Sequence, residues 1–222
     1  MSDEINELAF AKPKAVIIGL LAPFANMKLI QNYAEKNITS LAMELVPRIT
    51  KAQTMDCLSS QSNLAGYRAV IEAAYHFGMA FPMMMTSAGT ISPAKVLVLG
   101  AGVAGLQAIA TAKRLGAVVS AYDVRAASKE QVESVGGKFL SVGDDDFSNS
   151  SGYARELGAE SQQKQTNLLA EHASKNNIII TTAQIPGKPA PSLITAAMIE
   201  TMKPGSVIVD LSTATGEIGR AS

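Results

Sequence analysis

Residues 96–123 read VLVLGAGVAGLQAIATAKRLGAVVSAYD, and the rest of the chain is organised around them. The run 96–99 is short and wholly apolar, as suits a strand buried on both faces of a parallel sheet. It passes directly into Gly100-Ala101-Gly102-Val103-Ala104-Gly105. In such a G-x-G-x-x-G run the first glycine makes the tight turn, the second lets backbone approach a pyrophosphate, and the third lets helix pack on strand. The pattern predicts a helix over 106–115, closed by Gly116, with N-terminal amides and dipole facing the phosphates. A second apolar run, 117–122, delivers Asp123 at its carboxyl end, close to the roughly 20-residue interval at which an acid hydrogen-bonds an adenosine ribose. Strand, glycine turn, helix and acid agree on a dinucleotide site. Asp123 favours NAD(H), because a carboxylate accepts from both ribose hydroxyls and repels the 2′-phosphate of NADP. Arg125 lies beside the adenine or ribose edge, or is plain surface.

The totals narrow the classes. With 19 basic and 19 acidic residues the formal charge is zero, so there is no electrostatic case for nucleic acid or an anionic membrane. The one cysteine, Cys57, excludes an intrachain disulfide and any cysteine-based metal site, and suits a reducing compartment. The apolar run 15–25 falls short of the ~20 residues that span a bilayer, and it lacks the basic flank and cleavage pattern of a secretion signal. No transmembrane segment is expected in this chain, which reads as soluble. The 222 residues suit one large domain, or a domain with a smaller partner.

Before the glycine motif, 15–21 and 38–45 read as strands around a helix over 26–36, one β-α-β unit. Two strands and a helix bury too little to stand alone, so this segment must lean on other residues. The polar stretch 47–60 follows the second strand, where parallel sheets present ligand-binding loops. It offers Arg48, Gln53, Asp56 and Ser59, and taken by itself reads as a solvated loop with a helix cap rather than a site. A helix over 64–77 carries Arg68, Glu72 and His76 four apart as a solvent stripe, which makes His76 a surface residue. The methionine-rich run 81–86 is an extended segment or a partner-facing hairpin.

After Asp123, Ser128-Lys129-Glu130-Gln131 has capping-box form and opens a short helix ended by Gly136 and Gly137. Strands follow at 138–142, 177–183 and 206–211, with helices over 153–175 and 192–202 between them. Asp144, Asp145 and Asp146 lack spaced ligands or a histidine, so they read as a solvated loop, and no metal site is expected. Five β-α steps give a doubly wound parallel sheet in the order 3-2-1-4-5. The fold class is α/β, Rossmann-like, with an incomplete second α/β subdomain at the N-terminus. The division is placed at 1–58 for the partial subdomain and 59–222 for the linking helix and nucleotide domain.

Taken together, Arg48-Ile49-Thr50 with Gln53, Asp56 and Ser59, then AGYRAVIEAA, PAKVLVLGAGVAGLQAIATAKRLGA, YDVR, KEQVES, ITTAQIPGKPAP and MKPGSVIVDL are similar to a known family. They resemble the NAD(H)-binding domain of the alpha subunit of proton-translocating nicotinamide nucleotide transhydrogenases, in the alanine dehydrogenase/transhydrogenase family. The resemblance implies that Arg48, Ile49, Thr50, Gln53, Asp56, Cys57, Leu58 and Ser59 form a loop over the nicotinamide and its ribose. It implies Gly100, Ala101, Gly102, Val103 and Gly105 at the pyrophosphate turn, Asp123, Val124 and Arg125 at the adenosine end, and Gly152, Gln165 and Gln184 near the cofactor. Position 184 departs from the leucine usual there, which would weaken an apolar contact to the cofactor.

The implied activity is direct hydride transfer from NADH to NADP+, with NADP(H) held on a partner domain, coupled to proton translocation by transmembrane subunits. Arg48, Gln53 and Asp56 would orient the nicotinamide ring and carboxamide without exchanging a proton, since ring-to-ring transfer needs positioning rather than an acid or base. The resemblance also implies a homodimer, placed in the cytoplasm and peripheral on the inner membrane through those subunits. The family's domain continues beyond both ends of this sequence, so the chain is expected to be a fragment, truncated at its C-terminus. Two other readings stay open: an alanine dehydrogenase-like amino-acid oxidoreductase, and an NAD(H)-binding module or remnant that catalyses nothing.

Overall fold

The computed structural model describes residues 10–141, 159–184 and 190–213. The chain falls into two compact units, Met1–Gln61 and Ser62–Ser222.

In the first unit, β1 (Val16–Gly19) and β2 (Thr39–Ala42) pair in parallel, Val16 opposite Thr39 and Gly19 opposite Ala42. Helix α1 (Met27–Glu35) connects them. Its core is small: Leu21, Tyr33 and Ile38 are buried, with Ile17, Leu29 and Ile30 packed against them. Both strands end sooner than their apolar runs suggest. After β1 the chain turns at Ala22, which has φ +44°. After β2 it tightens into a 3-10 turn, Met43–Leu45, that brings Glu44 back to the turn following the first strand. Glu44 Oε1 accepts from the Leu21 amide at 2.9 Å and also from the Ala22 amide, satisfying backbone groups that no strand partner reaches.

The polar stretch expected as a loop is more ordered than its composition indicates. It forms a 3-10 turn, Thr50–Met55, and then α2 (Cys57–His76), which starts seven residues before the predicted helix. The expected solvent stripe on α2 is present: Arg68 pairs with Glu72, and His76 Nε2 lies 3.9 Å from Glu72.

The second unit holds an antiparallel hairpin, β3 (Met84–Thr86) and β4 (Gly89–Ile91), so the methionine run is a hairpin arm, with Met84 and Met85 exposed. Five further strands form one parallel sheet: β5 (Lys95–Leu99), β6 (Val118–Tyr122), β7 (Lys138–Leu140), β8 (Ile178–Thr181) and β9 (Val207–Asp210). Their order is β7-β6-β5-β8-β9, the expected doubly wound arrangement with the first strand at the centre. Alternate residues face opposite sides of a strand, and here both sides are buried. Val96, Val98, Ile178 and Ile180 pack with Ile109 and Ala112 of α3 (Val103–Arg114) and with Val70 and Ala73 of α2. Leu97, Leu99 and Ile179 pack on the other face with Leu169 and Ala173 of α5 (Ala159–Lys175) and Met198 of α6 (Ala196–Glu200).

Three further helix starts, all in the second unit, differ from the sequence reading. Helix α3 begins at Val103 rather than 106, because Gly102 is its cap residue. Helix α4 (Ser128–Ser134) has no capping box. The Ser128 amide already donates to Arg125 O at 3.0 Å and Ala127 has helical dihedrals, so Ser128 sits inside the first turn, buried, rather than ahead of it. Helix α6 is only five residues long, capped by Thr195, whose hydroxyl accepts from the Met198 amide at 3.3 Å. The acidic run 144–146 and the start of the helix predicted from 153 lie outside the described residues.

Candidate functional site

The carboxyl edge of the five-stranded sheet carries the site, at the crevice where the connections reverse direction between β5 and β8. Gly100 leaves β5 with φ +97°, a conformation that side-chain-bearing residues avoid. A Cβ there would also stand 2.8 Å from Thr182 Oγ1 and 2.9 Å from the Ala183 nitrogen. Gly105 backs onto the same turn, and a Cβ on it would fall 1.9 Å from Gly100 O. Gly102 is different, because a Cβ on it would meet nothing within 4 Å. It faces open space at the start of α3, a twelve-residue helix whose first turn has no side-chain cap. Free first-turn amides and the positive end of a helix dipole favour an anion there.

Asp123 follows β6, its side chain 7% exposed. Its Oδ2 accepts from the Ala101 amide at 2.7 Å, and its Oδ1 from the Arg125 amide at 2.9 Å. The Arg125 guanidinium folds back as a fork, Nε to Oδ1 at 2.9 Å and Nη2 to Oδ2 at 2.8 Å. Burial is the largest single influence on this carboxyl and pushes its pKa up. The hydrogen bond and charge of Arg125, with the two backbone amides, outweigh it and hold the group below the usual carboxylate range. Arg125 is therefore a brace on Asp123, which the sequence left undecided. Of the remaining expected positions, Gln165 is buried on α5 and hydrogen-bonds the phenol of Tyr122, the last residue of β6. Burial raises the Tyr122 pKa to about 12. Gln184 is exposed and donates from Nε2 to Leu211 O at 3.1 Å, tying the segment after β8 to the end of β9. Val124 packs beside the core on the α5 face. Gly152 lies outside the described residues.

In the first unit, Arg48, Ile49, Thr50, Gln53 and Leu58 are exposed, whereas Asp56, Cys57 and Ser59 are half-buried. Asp56 closes the 3-10 turn and caps α2: Oδ1 accepts from the Ser59 amide at 2.8 Å and Oδ2 from the Ser59 hydroxyl at 2.7 Å. These two bonds, the hydroxyl's foremost, hold its carboxyl below the ordinary range, with a smaller contribution from the Arg48 charge. Among the described residues no group of three His, Cys, Asp or Glu side chains could hold a metal ion. No described helix is long and apolar enough to cross a membrane.

The sequence reading did not single out Thr182, whose hydroxyl reaches Gly100 O at 2.9 Å across 82 residues. The pair of threonines closing the fourth strand, next to the glycine strand in the expected order, was the available cue.

This glycine turn, helix and braced acid, on a doubly wound sheet, make a dinucleotide-type site. Two family models match the chain, the alanine dehydrogenase/PNT N-terminal domain over residues 3–65 and the C-terminal domain over residues 69–220. The chain belongs to the alanine dehydrogenase/PNT family. Within it the similarity leans to one branch. The chain is 62% identical over 217 residues to an NAD(P) transhydrogenase subunit alpha of Rickettsia prowazekii, the first portion of a divided subunit, covering 97% of this chain and 57% of that protein. A transhydrogenase structure from Sinorhizobium meliloti superposes with TM-score 0.83 at 54% identity, over 95% of this chain and 57% of that one. An alanine dehydrogenase of Mycolicibacterium smegmatis is 28% identical over 178 residues, 78% of this chain and 42% of that protein. The chain thus spans about half the length of the curated relatives it matches.

Proposed function

We propose that this chain binds NAD(H) as the alpha-subunit component of a proton-translocating transhydrogenase, and that hydride passes directly to NADP+ on a partner domain. The observation that carries the reading is Asp123: a buried, ionised carboxylate at the end of β6, bonded to the amide of the glycine turn. Bound NADH supplies a transferable hydride from its dihydropyridine ring. The first-turn amides of α3 would receive the pyrophosphate where Gly102 leaves space. Asp123, whose four acceptor positions are filled by Ala101 and Arg125, would accept from the adenosine ribose as the Arg125 guanidinium gives up its two bonds. The family resemblance would assign Arg48, Ile49, Thr50 and Gln53, with Cys57, Leu58 and Ser59, to contacts with the nicotinamide and its ribose. Asp56 acts through its hydrogen bonds to Ser59, which fix the end of that segment on α2.

The reaction asks no side chain for a proton, which suits a chain whose two histidines lie apart from the glycine turn in sequence: His76 exposed beside Glu72 on α2, and His172 on α5. NADP(H) binding and proton coupling belong to partner domains and transmembrane subunits, with this chain peripheral on the cytoplasmic face and paired as a homodimer. The names and identities of the transhydrogenase relatives support this branch over the alanine dehydrogenases.

The test is thermal unfolding of the chain with NADH and with NADPH, followed by a hydride-transfer assay with the NADP(H)-binding partner. NADH at a hundred times its Kd should add about 2.7 kcal/mol, NADPH should add little, and transfer should need the partner. Equal shifts by both nucleotides, or NAD reduction driven by an amino acid without any partner, would overturn the proposal.

A further inference from the structure

The geometry points to Thr182 as the positioning residue of the glycine turn, acting through a single peptide plane on both the phosphate-facing amides and Asp123. The inference rests on the reading of this site as one for NAD(H). Thr182 follows β8, and its amide donates to Leu99 O at 2.8 Å, which continues the β5–β8 ladder by one residue and aims the side chain at Gly100. Its hydroxyl donates to Gly100 O at 2.9 Å, with Leu99 O further away at 3.3 Å. A Cβ on Gly105 would fall 1.9 Å from the same carbonyl oxygen, so the helix side of the turn has no room for a side chain.

The Gly100 carbonyl and the Ala101 N–H belong to one planar peptide unit and point in opposite directions from it. The carbonyl end is held by Thr182, and the N–H end is held by Asp123 Oδ2 at 2.7 Å. A plane gripped at both ends cannot rotate about its flanking bonds. The amide direction of the turn is thereby fixed, and so is the carboxylate that reads the ribose.

The same geometry gives two of the three glycines a further purpose. The Thr182 oxygen stands 2.8 Å from where a Gly100 Cβ would be and 3.0 Å from where a Gly105 Cβ would be. Both glycines clear the space that the hydroxyl occupies. Valine in place of threonine would keep the shape but put a methyl group against Gly100 O, inside normal carbon–oxygen contact, and would remove the donor. Serine would keep the donor.

The experiment compares Thr182→Val and Thr182→Ser with the unaltered chain, at a temperature where circular dichroism shows all three folded. It reads NADH and NADPH dissociation constants and the amide resonance of Ala101 without ligand. Thr182→Val should bind NADH about five- to tenfold more weakly, within the roughly two- to thirteenfold range that one such hydrogen bond spans. It should also narrow the NADH-over-NADPH preference about threefold and shift the Ala101 resonance. Thr182→Ser should stay within about twofold of the unaltered chain. A residue serving only stability would leave the nucleotide preference and the Ala101 resonance unchanged. Unaltered affinity in Thr182→Val, or a Thr182→Ser as weak as Thr182→Val, would overturn the inference. If the unaltered chain does not bind NADH, the NAD(H) reading fails by itself, and the Ala101 resonance decides the positioning role: moved by valine and not by serine upholds it, unmoved overturns it.

Discussion

The β1–β2 pair and the five-stranded sheet are both parallel, and both send alternate side chains to opposite faces, yet they treat apolar residues in opposite ways. On β5 and β8, Val96, Leu97, Val98, Leu99, Ile178, Ile179 and Ile180 all have no exposed surface. On β1 and β2 the outward positions Val16, Ile18 and Leu41 are 61%, 62% and 51% exposed. A parallel strand is normally covered on both faces because its crossover helices lie there. The central sheet has α2, α3 and α4 on one face and α5 and α6 on the other, whereas the small sheet's own core is just Leu21, Tyr33 and Ile38 with their neighbours. Apolar composition marks a strand in both places, but only the number of covering elements decides how much of it is removed from water. Each fully buried Val or Ile is worth about 1.5–3 kcal/mol, so the second unit holds most of the stabilisation.

Matched truncations give the largest contrast. Ile180→Ala should destabilise by about 2–5 kcal/mol, as expected for a core isoleucine, and Ile18→Ala by less than about 0.5 kcal/mol. Urea unfolding measures both, and a large loss at Ile18 would show that its face is covered in solution. Native-state amide exchange extends the comparison, with β5 and β8 exchanging only on global unfolding and β1 and β2 well before it.

A smaller contrast sets Asp123 against Asp56. Asp123→Ala leaves the half-buried Arg125 fork and the Ala101 amide without their acceptor and should cost about 1.5–3 kcal/mol. Asp56→Ala removes a half-buried helix cap and should cost about 0.5–1 kcal/mol. Both carboxyls lie below the ordinary aspartate value of 3.8 in the folded chain. Their contributions are therefore complete above that value and fade as pH falls through the lower folded one. Unfolding curves of each variant and the unaltered chain should converge as the solution is acidified below pH 3.8, and a constant gap would mean that the two groups are not depressed.

The smallest effect is at Gln184. Gln184→Leu gives up an exposed bond to Leu211 O and should change stability by no more than about 0.5 kcal/mol. A loss above about 1 kcal/mol would make that bond a structural tie between the β8 and β9 ends.

What could be read from the sequence was what is local or periodic. The glycine turn, the interval to Asp123, the strand order and the Arg68–Glu72 stripe each depend on residues close in sequence or on a repeated pattern, and each appears in the structure. The early start of α2 was hidden because the cap at Asp56 lies in a polar stretch with no apolar period to announce a helix. The capping box at Ser128 was a false signal, since the pattern matched while the chain had already turned at Arg125–Ala127. Glu44 and Thr182 went unread for another reason: their partners at Leu21 and Gly100 lie 23 and 82 residues away, and even the threonine pair at the end of the fourth strand does not say which carbonyl its hydroxyl meets. The fork of Arg125 on Asp123 spans only two residues, but the sequence offered the guanidinium an equally good place at the ribose edge.

The central position of β5 also has a consequence for the timetable of synthesis. β5 is the first strand of the large sheet to leave the ribosome, and β6 and β7 can dock on one of its edges soon afterwards. Its other edge, Val96 to Leu99, pairs with β8, and the turn at Gly100 is tied down by Thr182, 82 residues later. At about 5–20 residues per second that is a wait of roughly 4–16 s. Through that interval the nascent chain carries an apolar strand edge and an unanchored glycine turn, the kind of surface that chaperones hold and aggregates recruit.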